Sequence, residues 1–123
     1  MPDRERVTGV GGVFFRARDP KALAAWYAEH LGVEIDLSYG GASFAGTDGT
    51  FTVWSPFPAN TEYFGESGQA YMVNYRVTDL DAMLAQLRAA GVQVDAEIED
   101  SESGRFGWAY DPEGTRFELW QPR

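Results

Sequence analysis

Two residue pairs place a polar group and an indole on one strand face. Glu118 and Trp120 alternate along Arg116-Phe117-Glu118-Leu119-Trp120, and Thr52 and Trp54 alternate along Phe51-Thr52-Val53-Trp54. Residues two apart in a strand share a face, so both pairs can line one cleft. A carboxylate in an apolar cleft has a raised pKa. It can then act as a general base near neutral pH, or accept a hydrogen bond from an amine or hydroxyl of a ligand. Indoles suit a planar or cationic molecule through stacking and cation–π contact.

Composition removes most other chemistry. The 123 residues contain no cysteine and one histidine, His30. That excludes disulfides, thiolate zinc sites, cysteine nucleophiles and any centre needing two histidines from one chain. His30 falls at the end of a helical pattern, where the helix dipole favours it and catalysis does not. Asp plus Glu number 19 against 10 Lys plus Arg, a net charge of −9. The balance argues against nucleic acid and against an anionic membrane as partners. No run of about 18 apolar residues occurs, so no membrane span is expected. Met1-Pro2-Asp3-Arg4-Glu5-Arg6 lacks an apolar signal core, and a cytoplasmic protein is the expectation.

The elements that must position these residues come as a repeat. Phe15-Arg16-Ala17-Arg18-Asp19 resembles Tyr75-Arg76-Val77-Thr78-Asp79, and both lead into helical spacing. Leu23, Trp26, Tyr27 and Leu31 form the first apolar stripe, which makes Trp26 a core residue. Leu80, Met83, Leu84 and Leu87 form the second. Asp19 and Asp79 sit where N-caps belong, and Gly32 and Gly91 where left-handed C-caps belong. Later strands are expected near Glu34–Leu37, Ala42–Ala45 and Thr50–Ser55, then near Val92–Glu99, Arg105–Tyr110 and Thr115–Gln121. The chain therefore reads as one α+β domain over 1–123. It has a βαβββ module at 7–56, a linker at 57–70 and a second βαβββ module at 71–122. A helix covers one face of each small sheet and leaves the other face to a cleft, so the modules must share burial.

Two such modules, with Arg18-Asp19-Pro20, Trp26-Tyr27 and Leu31-Gly32 in one and Asp111-Pro112-Glu113-Gly114 before Phe117-Glu118-Leu119-Trp120 in the other, resemble the vicinal oxygen chelate superfamily. That superfamily includes glyoxalase I, extradiol dioxygenases and bleomycin and fosfomycin resistance proteins. The resemblance runs from Val10 to Pro122 and implies a curved mixed sheet around a cleft. It also implies a divalent metal held by His or Gln on each module's first strand and Glu on its last. The first-strand ligand lies seven residues before the helix-capping Asp, which gives Gly12 and Met72 here; the last-strand positions align to Thr52 and Glu118. Only Glu118 is an ordinary ligand for a hard or borderline cation. The expectation is a degenerate metal site and no cofactor, with a divalent metal as the alternative.

Parity along the first strands then assigns Phe14 and Arg16, and Met72, Asn74 and Arg76, to the cleft face. Arg76 becomes the expected partner of Glu118. With Thr52, Trp54, Trp108 and Trp120 these form the expected ligand-binding set, and Glu118 is the candidate catalytic group. Tyr63-Phe64-Gly65 in the linker is read as pinning a crossing loop to the body, and Ser101-Glu102-Ser103-Gly104 as a flap over the cleft. The resemblance implies a homodimer and three functions. The first is a small-molecule binder of the bleomycin-resistance type. The second is a lyase, isomerase or oxygenase acting through Glu118 with or without metal. The third is a ligand-sensing or interaction domain without chemistry.

Overall fold

Both helices start where the sequence places their caps. In the computed structural model, which describes residues 4–66 and 68–123, α1 spans Pro20–Leu31 and α2 spans Leu80–Ala89. The first three residues of the N-terminal run read above, and Ser67 of the linker, lie outside the described residues. The Asp19 carboxylate accepts from the Ala22 N–H and the Asp79 carboxylate from the Ala82 N–H, each at 3.0 Å. Each satisfies a first-turn donor that has no partner inside the helix. Gly32 ends α1 in the left-handed conformation at φ 69°, which a side chain would resist.

Seven strands form one curled sheet. They are β1 (Val7–Ala17), β2 (Ala42–Ala45), β3 (Phe51–Pro58), β4 (Tyr71–Val77), β5 (Glu99–Ser101), β6 (Gly104–Tyr110) and β7 (Arg116–Pro122), in the order β2-β3-β1-β4-β7-β6-β5. Within each module the first strand pairs in parallel with the last, β1 with β3 and β4 with β7. The modules join within the chain through antiparallel β1 and β4, so a single sheet serves both. Register shifts in β1 between Val7 and Gly9 and between Val10 and Gly12 bend the sheet at this seam.

Two expected strands are reduced to single bridges. Glu34–Leu37 contributes only the Asp36–Gly41 bridge. The Asp36 carboxylate takes the Ser38 N–H and hydroxyl at 2.9 and 2.6 Å, closing a turn where a ladder would have continued. Val92–Glu99 contributes the Val94–Ala109 bridge before the short edge strand β5 begins at Glu99. Phe57 and Pro58, placed in the linker by the sequence, belong to β3.

The core is unequal between modules. Val77, Leu80, Met83, Leu84 and Leu119 pack α2 against the sheet. On α1 only Ala24 is buried, and Trp26 is 51% exposed, which corrects its assignment to the core. Tyr27, one residue further round the helix, faces the sheet instead and meets Trp54 at 4.8 Å between ring centroids. The second core cluster, Phe14, Phe64, Met72 and Trp108, lies at the cleft.

Candidate functional site

β4 and β7 run side by side with Asn74 opposite Glu118, and β6 brings Trp108 opposite Glu118 from the other flank. All three side chains therefore converge between neighbouring strands. Asn74 Nδ2 donates to Glu118 Oε1 at 2.6 Å, and Trp108 Nε1 donates to Oε2 at 2.9 Å. The Tyr63 hydroxyl, from the crossing loop, donates to the same Oε2. Glu118 is 1% exposed and has no cationic partner among the described residues. Burial raises its pKa, and the three hydrogen bonds oppose that rise by favouring the anion. Burial and the adjacent carboxylate hold the Tyr63 phenol protonated far above its usual range.

Over this floor lies a cavity of about 410 Å³. Phe14, Phe51, Val53, Phe57 and Tyr63 line it on one side, and Phe106 and Trp120 on the other. Phe106 and Trp120 stack with 2° between planes and 5.9 Å between centroids; Phe57 and Tyr63 stack with 10° at 5.5 Å. The walls are thus two stacked ring pairs, with Asn74 and Glu118 between them and Ser103 also in the lining.

The crossing loop reaches the cleft because two arginines tie it down. Arg16 donates to the carbonyls of Gln69 at 2.7 Å and of Ala59 and Thr61 at 2.8 Å each. Arg116 donates to the Tyr63 carbonyl at 2.7 Å and pairs with Asp95 at 2.7 Å. Arg16 therefore serves the site through the loop and does not line the cavity.

Of the residues singled out by sequence, Phe14, Asn74, Glu118 and Trp120 line the cavity, and Trp108 supports it through Glu118. Met72 is on the expected face but buried under the site with Phe14 and Phe64. Arg76 does not meet Glu118: its guanidinium donates to the carbonyls of Val10 and Phe51, each at 2.8 Å, at the far end of the cleft. Thr52 and Trp54 are on the opposite face. Thr52 bonds the Val10 carbonyl at 2.9 Å, and Trp54 packs on Phe15 and Tyr27 beneath α1. The face of β3 turned to the cleft carries Phe51, Val53 and Phe57. Tyr63 and Phe106 were not assigned to the cleft by sequence. Tyr63 lies in a loop with no period to show its direction, and Phe106, two residues from Trp108, shares the strand face that the sequence assigned to the cleft through Trp108 alone. The Ser101–Gly104 segment is a tight β5–β6 turn held by Trp120 Nε1, which donates to the Ser103 carbonyl at 2.9 Å.

Register also re-identifies the fourth metal position. Phe14 and Asn74 each lie five residues before a capping Asp; Asn74 faces Glu118, and Phe14 faces Ser55. The equivalent of Glu118 is thus Ser55, not Thr52. The four positions hold Gly12, Ser55, Met72 and Glu118. A Cβ at Gly12 would lie 2.9 Å from the Phe14 ring, Met72 offers a soft thioether, and Glu118 is already held by three donors. Among the described residues no three His, Asp or Glu side chains gather. This donor set does not fit a divalent cation.

A family model for a glyoxalase-like domain matches residues 12–120. Methylmalonyl-CoA epimerase from Mycobacterium tuberculosis is 24% identical, with a TM-score of 0.66 over 95% of this chain and 89% of that one. A Streptomyces coelicolor methylmalonyl-CoA epimerase variant in complex with 2-nitronate-propionyl-CoA is 19% identical, with a TM-score of 0.69 over 93% and 96%. A Legionella pneumophila structure described as NAD-dependent benzaldehyde dehydrogenase is 14% identical, with a TM-score of 0.62 over 91% and 98%. At these identities the likeness is one of fold, which hosts many chemistries. No curated protein matches the chain.

Proposed function

The chain belongs to the glyoxalase-like domain family, and we propose that it uses the family's cleft to bind a small planar molecule without a divalent metal. One observation carries this reading. Glu118, which occupies a metal-ligand position, is capped by Tyr63, Asn74 and Trp108 beneath an aromatic-walled cavity of about 410 Å³. The size falls within the range of small-molecule sites, which are mostly apolar with a few polar groups to orient the ligand. Stacked ring pairs on two walls favour a flat guest.

Titration of tryptophan fluorescence with planar aromatic compounds tests the proposal. Saturable binding that survives chelator treatment is the expected result. Stoichiometric metal in the purified protein, with binding lost on its removal, overturns it.

Burial of Glu118 with a raised pKa favours a second reading, in which the carboxyl exchanges a proton with the bound molecule. Loss of a measured turnover in Glu118→Gln with binding retained distinguishes it. The homodimer implied by the family belongs to the same proposal, and the exposed Trp26 and Leu31 on α1 are a surface that can support it. A monomer mass at micromolar concentration removes that part.

A further inference from the structure

The polar floor of the cleft is unbalanced in its hydrogen-bonding groups. Its donors turn inward: Tyr63 O–H, Asn74 Nδ2 and Trp108 Nε1 all serve Glu118, and on the wall Trp120 Nε1 serves the Ser103 carbonyl. Asn74 Nδ2 keeps one further N–H, and the other groups left on the floor are acceptors. Asn74 is 2% exposed and its Oδ1 has no partner among the described residues. That amide cannot simply be turned over, because the carboxylate accepts and does not donate, so it fixes Nδ2 on its own side. Glu118 Oε1 accepts from Asn74, whereas Oε2 accepts twice. The Tyr63 oxygen gives its proton to Glu118 and keeps its lone pairs. The unpartnered oxygen packs against Gly11, which lines the cavity with Asn74: a Cβ there would lie 2.2 Å from Oδ1, so only glycine leaves the oxygen room at this edge of the cavity. The exposed Ser103 at the rim is the remaining lining hydroxyl and can serve in either sense.

We propose that the cleft selects a planar bicyclic heteroarene carrying a pyrrole-type N–H, and discriminates against ligands whose polar atoms are acceptors only. This rests on the cleft-binding reading above and adds the ligand's chemistry to it. A pyrrole-type N–H donates in the ring plane and has no in-plane lone pair, so it meets this floor without repulsion. A carboxylate or thioester carbonyl brings acceptors to a floor made mostly of acceptors, and each buried unmatched pair weakens binding. The ring faces stack on the Phe106–Trp120 and Phe57–Tyr63 walls while the N–H points to the floor.

Indole and benzofuran have nearly the same shape and differ in N–H against O. Their affinities for the wild-type protein, measured by calorimetry with the Trp108 and Trp120 indole N–H resonances as reporters of position, test the proposal. Indole is expected to bind at least about tenfold more tightly, with the Trp108 resonance shifting. Equal affinities overturn the donor inference and leave the cleft-binding reading standing. No saturable binding of either compound overturns both. Glu118→Gln provides the second test, because its amide replaces an acceptor with a donor. The preference for indole should shrink, and a preference retained in full overturns the assignment to this floor.

Discussion

Asn74 and Glu118 are register partners on parallel strands, and the amide of one donates to the carboxylate of the other at 2.6 Å. The pair sits 44 residues apart in sequence, yet the ladder between β4 and β7 leaves it little freedom. Tyr63 and Trp108 complete the cap around the carboxylate.

Tyr63→Phe removes the donor that comes from the crossing loop while keeping the ring. A hydrogen bond to a charged group contributes about 1.5–3 kcal/mol. Urea unfolding at neutral pH should show a loss of about 2 kcal/mol, and the Glu118 pKa should rise further, because one group favouring the anion is gone. An unchanged midpoint with an unchanged pKa would show that the hydroxyl does not serve the carboxylate in solution.

Glu118→Gln changes how stability depends on pH. The folded pKa of Glu118 lies above its reference value of 4.5. Between the two values the folded state binds more protons than the unfolded state, so stability falls as pH rises through this window. The contribution is fully present below about 4.5 and is lost above the folded pKa. The melting temperature of Glu118→Gln relative to wild type should therefore increase from acid towards neutral pH. A difference that is flat across that range contradicts the raised pKa.

Arg16→Met leaves three loop carbonyls without their donor. Amide hydrogen exchange at residues 61–65 should accelerate well beyond the change in α2, and stability should fall by at least about 2 kcal/mol. Because the loop carries Tyr63, affinity for a planar ligand should fall as well. Exchange that rises uniformly over the whole chain would show that Arg16 supports global stability alone.

Trp54→Ala separates the two faces of β3. The ring packs on Phe15 and Tyr27, so its loss should cost about 3 kcal/mol of stability. Ligand affinity should be unchanged. Phe57→Ala, on the cleft face, should reduce affinity at least about tenfold. Equal effects of the two variants on affinity would mean that β3 turns the other face to the ligand.

Several features were legible in the residues alone because their signals are local. Asp19 and Asp79 cap helices three residues away, and the spacing of Leu80, Met83 and Leu84 shows a buried stripe through helical period alone. Counting back from Asp79, with parity along the strand, puts Asn74 on the cleft face, and aligning the last strands of the modules puts Glu118 there. The last-strand alignment fails on β3. Aligning Thr52 with Glu118 carries Thr52 and Trp54 to the cleft, whereas the ladder sets Phe14 against Ser55 and turns Phe51, Val53 and Phe57 inward. An odd-numbered error in strand register exchanges the two faces completely. Trp26 failed differently: an apolar stripe shows which side of a helix is apolar, not how much of it the sheet covers.

The sequence by itself determined the repeated modules, the helix caps, the lack of histidine and cysteine ligands, and Glu118 as the lone carboxylate of the cleft. All of these depend on residue identity and on neighbours a few positions away. Only the tertiary structure decided what surrounds Glu118. Arg76 is drawn off by the Val10 and Phe51 carbonyls, and Tyr63 arrives from a loop that Arg16 and Arg116 hold in place. Such contacts depend on strand order and loop path, which bring distant residues within hydrogen-bonding reach and leave no period in the chain.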